Sequence, residues 1–238
     1  MKLKQLSALC LAGTMLTASS LAMAWQSADE QHAVDFGLAL ANDYIWRGYS
    51  QTNRSPAASA SVDYSHSSGF YVGAWGSNVD FDDGADYELD IYAGYGGEFG
   101  DSGIGYDVGV LRYIYNSENY DWNEVYASLS YSYFSVGVAH SGSVYDSSED
   151  GTYYTAGFDY DLPWGGLALS TGIGYYDYDS GVVADSSREH TDWRIGVSKT
   201  IDDVLDFGLT YTGMDSDADD DIGKNASDKL TISVATSF

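Results

Sequence analysis

From Ala33 onward the chain repeats one pattern, short runs in which apolar and polar side chains alternate. The run 87–96 shows it most cleanly. Tyr87, Leu89, Ile91, Ala93 and Tyr95 share one parity, and Glu88, Asp90, Tyr92 and Gly94 share the other. The closing run repeats it, with Leu230, Ile232, Val234, Thr236 and Phe238 set against Lys229, Thr231, Ser233, Ala235 and Ser237. A period of two places alternate side chains on opposite faces of a strand. No stretch carries the longer period of an amphipathic helix. The chain is therefore all-β, and the question is what covers the apolar faces.

Twelve such runs are predicted, over 33–49, 56–64, 70–78, 87–96, 104–115, 123–132, 134–141, 152–160, 167–177, 191–199, 205–213 and 229–238. Their connections alternate in character. One set is compact, such as "SHSSG", "DLPWGG" and a near-absent break at Tyr133. The other is mostly long and acidic, such as "SNVDFDDGAD" and "GMDSDADDDIGKNASD"; only "SQTNRS" is short in that set. An even number of strands, with short turns at one end and long polar loops at the other, describes a transmembrane antiparallel up-and-down β-barrel. Closure satisfies every backbone donor and acceptor, so the apolar faces can pack on lipid. Tyrosines and tryptophans near the run ends are expected to form interfacial girdles. A soluble sandwich alternates too, but the small inward glycines, serines and alanines leave such a core little bulk.

The first 24 residues differ from the rest. Lys2 and Lys4 precede an uncharged stretch from Leu6 to Leu21 and then Ala22-Met23-Ala24, which reads as a secretory signal cut between Ala24 and Trp25. Cys10 falls inside it, so the mature barrel, 25–238, uses no disulfide or thiol. Without Lys2 and Lys4 the 10 basic residues become 8 against 36 acidic ones, a formal charge of −28. A chain this acidic repels nucleic acid. The terminal Phe238, an aromatic carboxyl terminus on an alternating strand, resembles the signal read by the barrel-assembly machinery of bacterial outer membranes.

Five stretches carry a family resemblance: "NDYIWRGYSQT" (42–52), "GFYVGAWGSNVDF" (69–81), "ELDIYAGY" (88–95), "YDVGVLRYIY" (106–115) and "EVYASLSY" (124–131). Taken in order, with Phe238, they resemble the TorF porin family. The resemblance implies a bacterial outer-membrane barrel of the porin kind and carries over no catalytic residue.

With both termini at the periplasmic end, parity sorts the inward charges into two layers. Asp43, Arg47, Glu88, Asp90, Glu124, Asp192, Arg194 and Lys229 are expected near the outer mouth. Asp35, Asp63, Asp107, Asp159 and Asp206 are expected near the base. As pore-lining groups these would set ion selectivity. Equally, the mouth arginines and carboxylates would serve as salt bridges closing a narrow lumen.

Other chemistry finds little support. Asp215, Asp217 and Asp219 have calcium-loop spacing, but Asp220 and Ala226 stand where that loop needs glycine and glutamate. An acidic outer loop instead suits loose divalent ions among lipopolysaccharide phosphates. His32, His66, His140 and His190 have no metal-ligand spacing, and His190 with Asp192 and Ser186 does not make a hydrolytic triad. No cofactor, metal or enzyme activity is expected. The sequence reads as an outer-membrane channel for small solutes, cationic or neutral, with a closed structural or surface-binding barrel as the alternative.

Overall fold

The computed structural model of the chain describes residues 25–81, 84–117, 120–146, 149–178, 189–215 and 223–238. Within them the alternating runs form twelve long strands. These are β1 (His32–Ala41), β2 (Ala57–His66), β3 (Phe70–Asn78), β4 (Tyr87–Glu98), β5 (Ile104–Tyr115) and β6 (Trp122–Tyr131). They continue as β7 (Phe134–Ser141), β8 (Gly151–Asp161), β9 (Leu167–Tyr178), β10 (Glu189–Ile201), β11 (Leu205–Met214) and β12 (Lys229–Ser237). Every strand is antiparallel to its chain neighbour. β12 pairs with β1, Val234 opposite Leu40, and β1 pairs with β2, so the sheet closes on itself. At the seam the Phe238 amide donates to the Phe36 carbonyl at 3.0 Å, and the Phe36 amide returns a bond of 2.9 Å.

Three expected runs match β3, β5 and β7 to the residue, and all but the first agree within two residues at either end. The first run does not. Expected through Tyr49, the strand stops at Ala41, and residues 42–56 take a different course.

Connections at the end holding the termini are short. Ser132 and Tyr133 alone join β6 to β7, with Ser132 at φ 56°, and Asp202 and Asp203 turn β10 into β11 at φ 53° and 55°. The strand ends that the long connections join lie at the opposite mouth.

Parity is kept around the barrel. Outward side chains include Leu40, Ile173 and Ile232, which are 59%, 54% and 60% exposed. Tyr87, Tyr131, Phe134 and Trp164 also point outward, near strand ends. A sheet with its large apolar groups outside inverts the arrangement of a water-soluble domain, where such groups are mostly interior. In the half nearer the termini the inward face is small and polar. Tyr71 lies over Gly94 and Tyr126 over Gly109, where any Cβ would collide with the ring. The two tyrosine hydroxyls meet at 2.5 Å, spanning this part of the interior.

Candidate functional site

Beyond Ala41 the chain turns into the barrel. Ile45–Trp46 pairs with Tyr49–Ser50, joined by Arg47 and Gly48 alone. Both turn residues have positive φ, 45° and 87°. That is the signature of a type I′ hairpin turn, whose twist matches its two arms. The base of the hairpin is tied by side chains. Asp43 accepts from the Ser50 hydroxyl at 2.6 Å and from Thr52 at 3.0 Å, and the Gln51 amide donates to the Tyr44 carbonyl at 2.7 Å. Burial pushes the Asp43 carboxyl up. The two hydroxyls, with Lys229 and Arg54, pull it down by less.

The tip is anchored at three points on the barrel wall. The Arg47 guanidinium donates to Glu124 at 2.5 Å, with both side chains only 1% exposed. The Arg47 carbonyl lies 3.0 Å from His190 Nε2, which must therefore carry the proton, so His190 Nδ1 accepts from the Tyr49 hydroxyl 3.0 Å away. Lys229 Nζ donates to the Gly48 carbonyl at 2.7 Å. On the outgoing limb Arg54 bonds the carbonyls of Lys224 and Ser227, at 2.6 and 2.9 Å.

Around the tip the lumen is packed with aromatic side chains. Trp46 meets Tyr113, Trp122, Tyr145 and Tyr176 with ring centroids 5.9–6.4 Å apart, and Tyr113 stacks on Trp122 at 4.2 Å. The barrel's buried core thus lies inside the lumen, toward the mouth away from the termini. These rings were expected in interfacial girdles. They face inward instead.

Three carboxylates share this space. Glu88 accepts from the Tyr44 hydroxyl at 3.2 Å, while its Oε2 finds no donor among the described residues. Asp90 is 1% exposed, neither of its carboxyl oxygens has a hydrogen-bond partner, and no cation pairs with it among the described residues. Glu124 alone holds a counter-charge.

The structure brings together every charge expected at the mouth, though not in the expected setting. Asp43 and Arg47 belong to the hairpin, not to a strand. Glu88, Asp90, Glu124, Asp192 and Lys229 project inward from strands and are covered instead of lining open water. Asp192 accepts from the Tyr153 hydroxyl at 3.0 Å, and Arg194 lies over Gly172. The base layer also faces inward, from β1, β2, β5, β8 and β11. Asp35 stands directly opposite Asp63, Asp107 accepts from Tyr71 at 2.8 Å, Asp206 accepts from Thr200 at 2.5 Å, and Asp159 is exposed. Sequence spacing also missed a histidine pair. His32 and His66 are register partners with rings 4.9 Å apart. Residues 1–24, Ser186, Asp217 and Asp219 lie outside the described residues. Asp215 is described, and it accepts from the Thr191 amide at 2.8 Å.

A family model described as a bacterial protein of unknown function, Gcw_chp, matches residues 25–238, and the chain belongs to that family. No curated protein matches it in sequence. Among solved structures it is similar to the NanC porin, with a TM-score of 0.56 and 10% identity, covering 87% of this chain and 99% of that one. It is similar also to the KdgM porin in complex with disordered oligogalacturonate, with a TM-score of 0.55 and 10% identity over 86% and 98%. At that identity the likeness is one of fold. The TorF resemblance is carried no further than the porin-like barrel.

Proposed function

We propose that this Gcw_chp family member is an outer-membrane channel of the porin kind, exported by its leader, that passes small solutes through a lumen narrowed by the hairpin 42–56. The observation that carries this reading is the hairpin itself, which enters a closed barrel with an apolar exterior and fills its interior toward one mouth. With the termini in the periplasm, the hairpin stands at the outer mouth and the acidic base layer faces inward to the cell. Lipopolysaccharide surrounds the long loops, and Phe238 is the strand end offered to the assembly machinery. Asp35, Asp63, Asp107, Asp159 and Asp206 favour cations over anions in whatever passes.

The density of the plug favours a second reading, a barrel closed for structural or surface-binding use. Ile45, Trp46 and Arg47 are between 2% and 4% exposed, as in a permanent core. Solute flux separates the two. Liposomes holding the mature protein should swell slowly in small amine salts and neutral sugars, and much faster when residues 44–51 are replaced by a short glycine–serine link. A folded, shortened barrel with no flux would establish the closed reading.

A further inference from the structure

The surroundings of Arg47 have the make-up of a recognition site. Its guanidinium carbon lies 4.4 Å from the Trp46 ring centroid, 4.5 Å from Tyr153, 4.7 Å from Tyr176 and 5.9 Å from Trp122. Glu124 closes one edge at 2.5 Å. Aromatic faces around a cation, completed by a carboxylate, select weakly hydrated organic cations. A planar guanidinium suits such a box better than an ammonium, because its flat face stacks on rings while its edge donates to a carboxylate oxygen.

Only Trp46 in this box travels with the hairpin. Tyr153, Tyr176, Trp122 and Glu124 stand on β8, β9 and β6, which are held by the barrel ladder whether or not the tip is docked. Glu88 and Asp90 also stand on the wall, and neither has a cationic partner among the described residues. A hard metal ion is a poor occupant. No group of three or more metal-ligating side chains converges among the described residues, and aromatic faces offer such ions no ligand. An anion would meet the Glu124 carboxylate.

We infer that the lumen wall around Glu124 is a binding site for small guanidinium-bearing cations, which Arg47 fills as a tethered stand-in. The inference deepens the channel reading and rests on it for its role, because a free solute must reach the lumen. An arriving cation competes with a side chain on a short tether. The high effective concentration of that side chain makes millimolar ligand necessary. Once displaced, the tip loses its charge anchor, so the solute that fits the site also loosens the plug.

The test is tryptophan fluorescence of the folded mature barrel, titrated with methylguanidinium or methylammonium at fixed ionic strength. Arg47→Ala should give a saturable response to methylguanidinium at a concentration at least tenfold below that needed by the wild type. Methylammonium should bind at least tenfold more weakly, and adding Glu124→Gln should abolish saturation. Absence of a saturable response in Arg47→Ala, equal binding of the two cations, or indifference to Glu124→Gln would each overturn the site. If Arg47→Ala yields no heat-modifiable barrel, Arg47→Lys replaces it. That variant keeps the charge without the planar face and should bind methylguanidinium more readily than the wild type; an unchanged response overturns the inference. Fluorescence does not require current. A barrel that binds but never conducts refutes the channel reading alone, and one that conducts without binding refutes the site alone.

Discussion

Arg47 and Glu124 meet at 2.5 Å inside the barrel although 77 residues separate them, one on a two-residue turn and the other on a strand across the lumen. Both are desolvated, so neither charge is tolerable without the other. Removing one partner of a buried pair costs about 3–5 kcal/mol, whereas exchanging both for apolar groups of similar size is often neutral. Glu124→Gln should therefore lower the denaturant midpoint of the folded barrel or free its hairpin. Arg47→Met with Glu124→Leu should recover most of the loss. A double variant as unstable as the single one would show that the pair is not the anchor.

The hairpin turn offers an independent handle. Gly48 has φ 87°, and a Cβ there would lie 2.6 Å from the Met214 side chain and 2.9 Å from the Asp192 Cβ. Gly48→Ala should thus carry about 1–3 kcal/mol of backbone strain, with a clash added, and expel the tip. Trypsin reports this directly, because Arg47 is buried when docked. Cleavage after Arg47 should be slow in the wild type and at least tenfold faster in Gly48→Ala, with the strands intact. Equal rates would mean that the tip is not held as described.

Outward and inward positions should respond oppositely to charge. Ile232 and Val110 are outward and 60% and 54% exposed, while Ser128 is on the inward parity of β6. Arginine at Ile232 or Val110 should cost about 2–4 kcal/mol near a bilayer midplane. At Ser128 it should be tolerated far better. Folding yields into lipid vesicles measure the contrast, and equal tolerance would argue against lipid contact.

Much of this was legible in the sequence because period two is an unambiguous signal when repeated twelve times, and because short and long connections alternate. The hairpin was not. Its arms keep the same parity as β1, Tyr44 and Trp46 continuing Leu38 and Leu40, so a reversal of direction looked like a longer strand. The signal that marks it is Arg47-Gly48 between "IW" and "YS", a weaker turn signal than Asn-Gly or Asp-Gly. A second clue lay in "LRYIY", 111–115, where both faces are bulky. Small inward residues hold near the base, but Leu111, Tyr113 and Tyr115 point inward and pack around the plug. The histidine pair was invisible for another reason, since register places His32 beside His66 and local spacing cannot show it.

The base layer carries its own expectation. Five carboxylates on one inner face raise the local cation concentration, most at low salt where screening is weak. Replacing Asp35, Asp63 and Asp107 with asparagine should reduce cation preference in a salt gradient while the barrel stays folded. Asp35 and Asp63, as register partners, repel each other in the native state. An unchanged reversal potential would remove these residues from the path.

Single-channel recording shows whether the hairpin fills an otherwise conducting lumen. The mature wild-type barrel and the variant with residues 44–51 replaced by a short link are compared in planar bilayers at low salt. Small or infrequent steps are expected for the wild type, and steps several times larger, with cation preference, for the shortened variant. A shortened barrel that is folded by heat-modifiable migration yet carries no current would contradict this expectation.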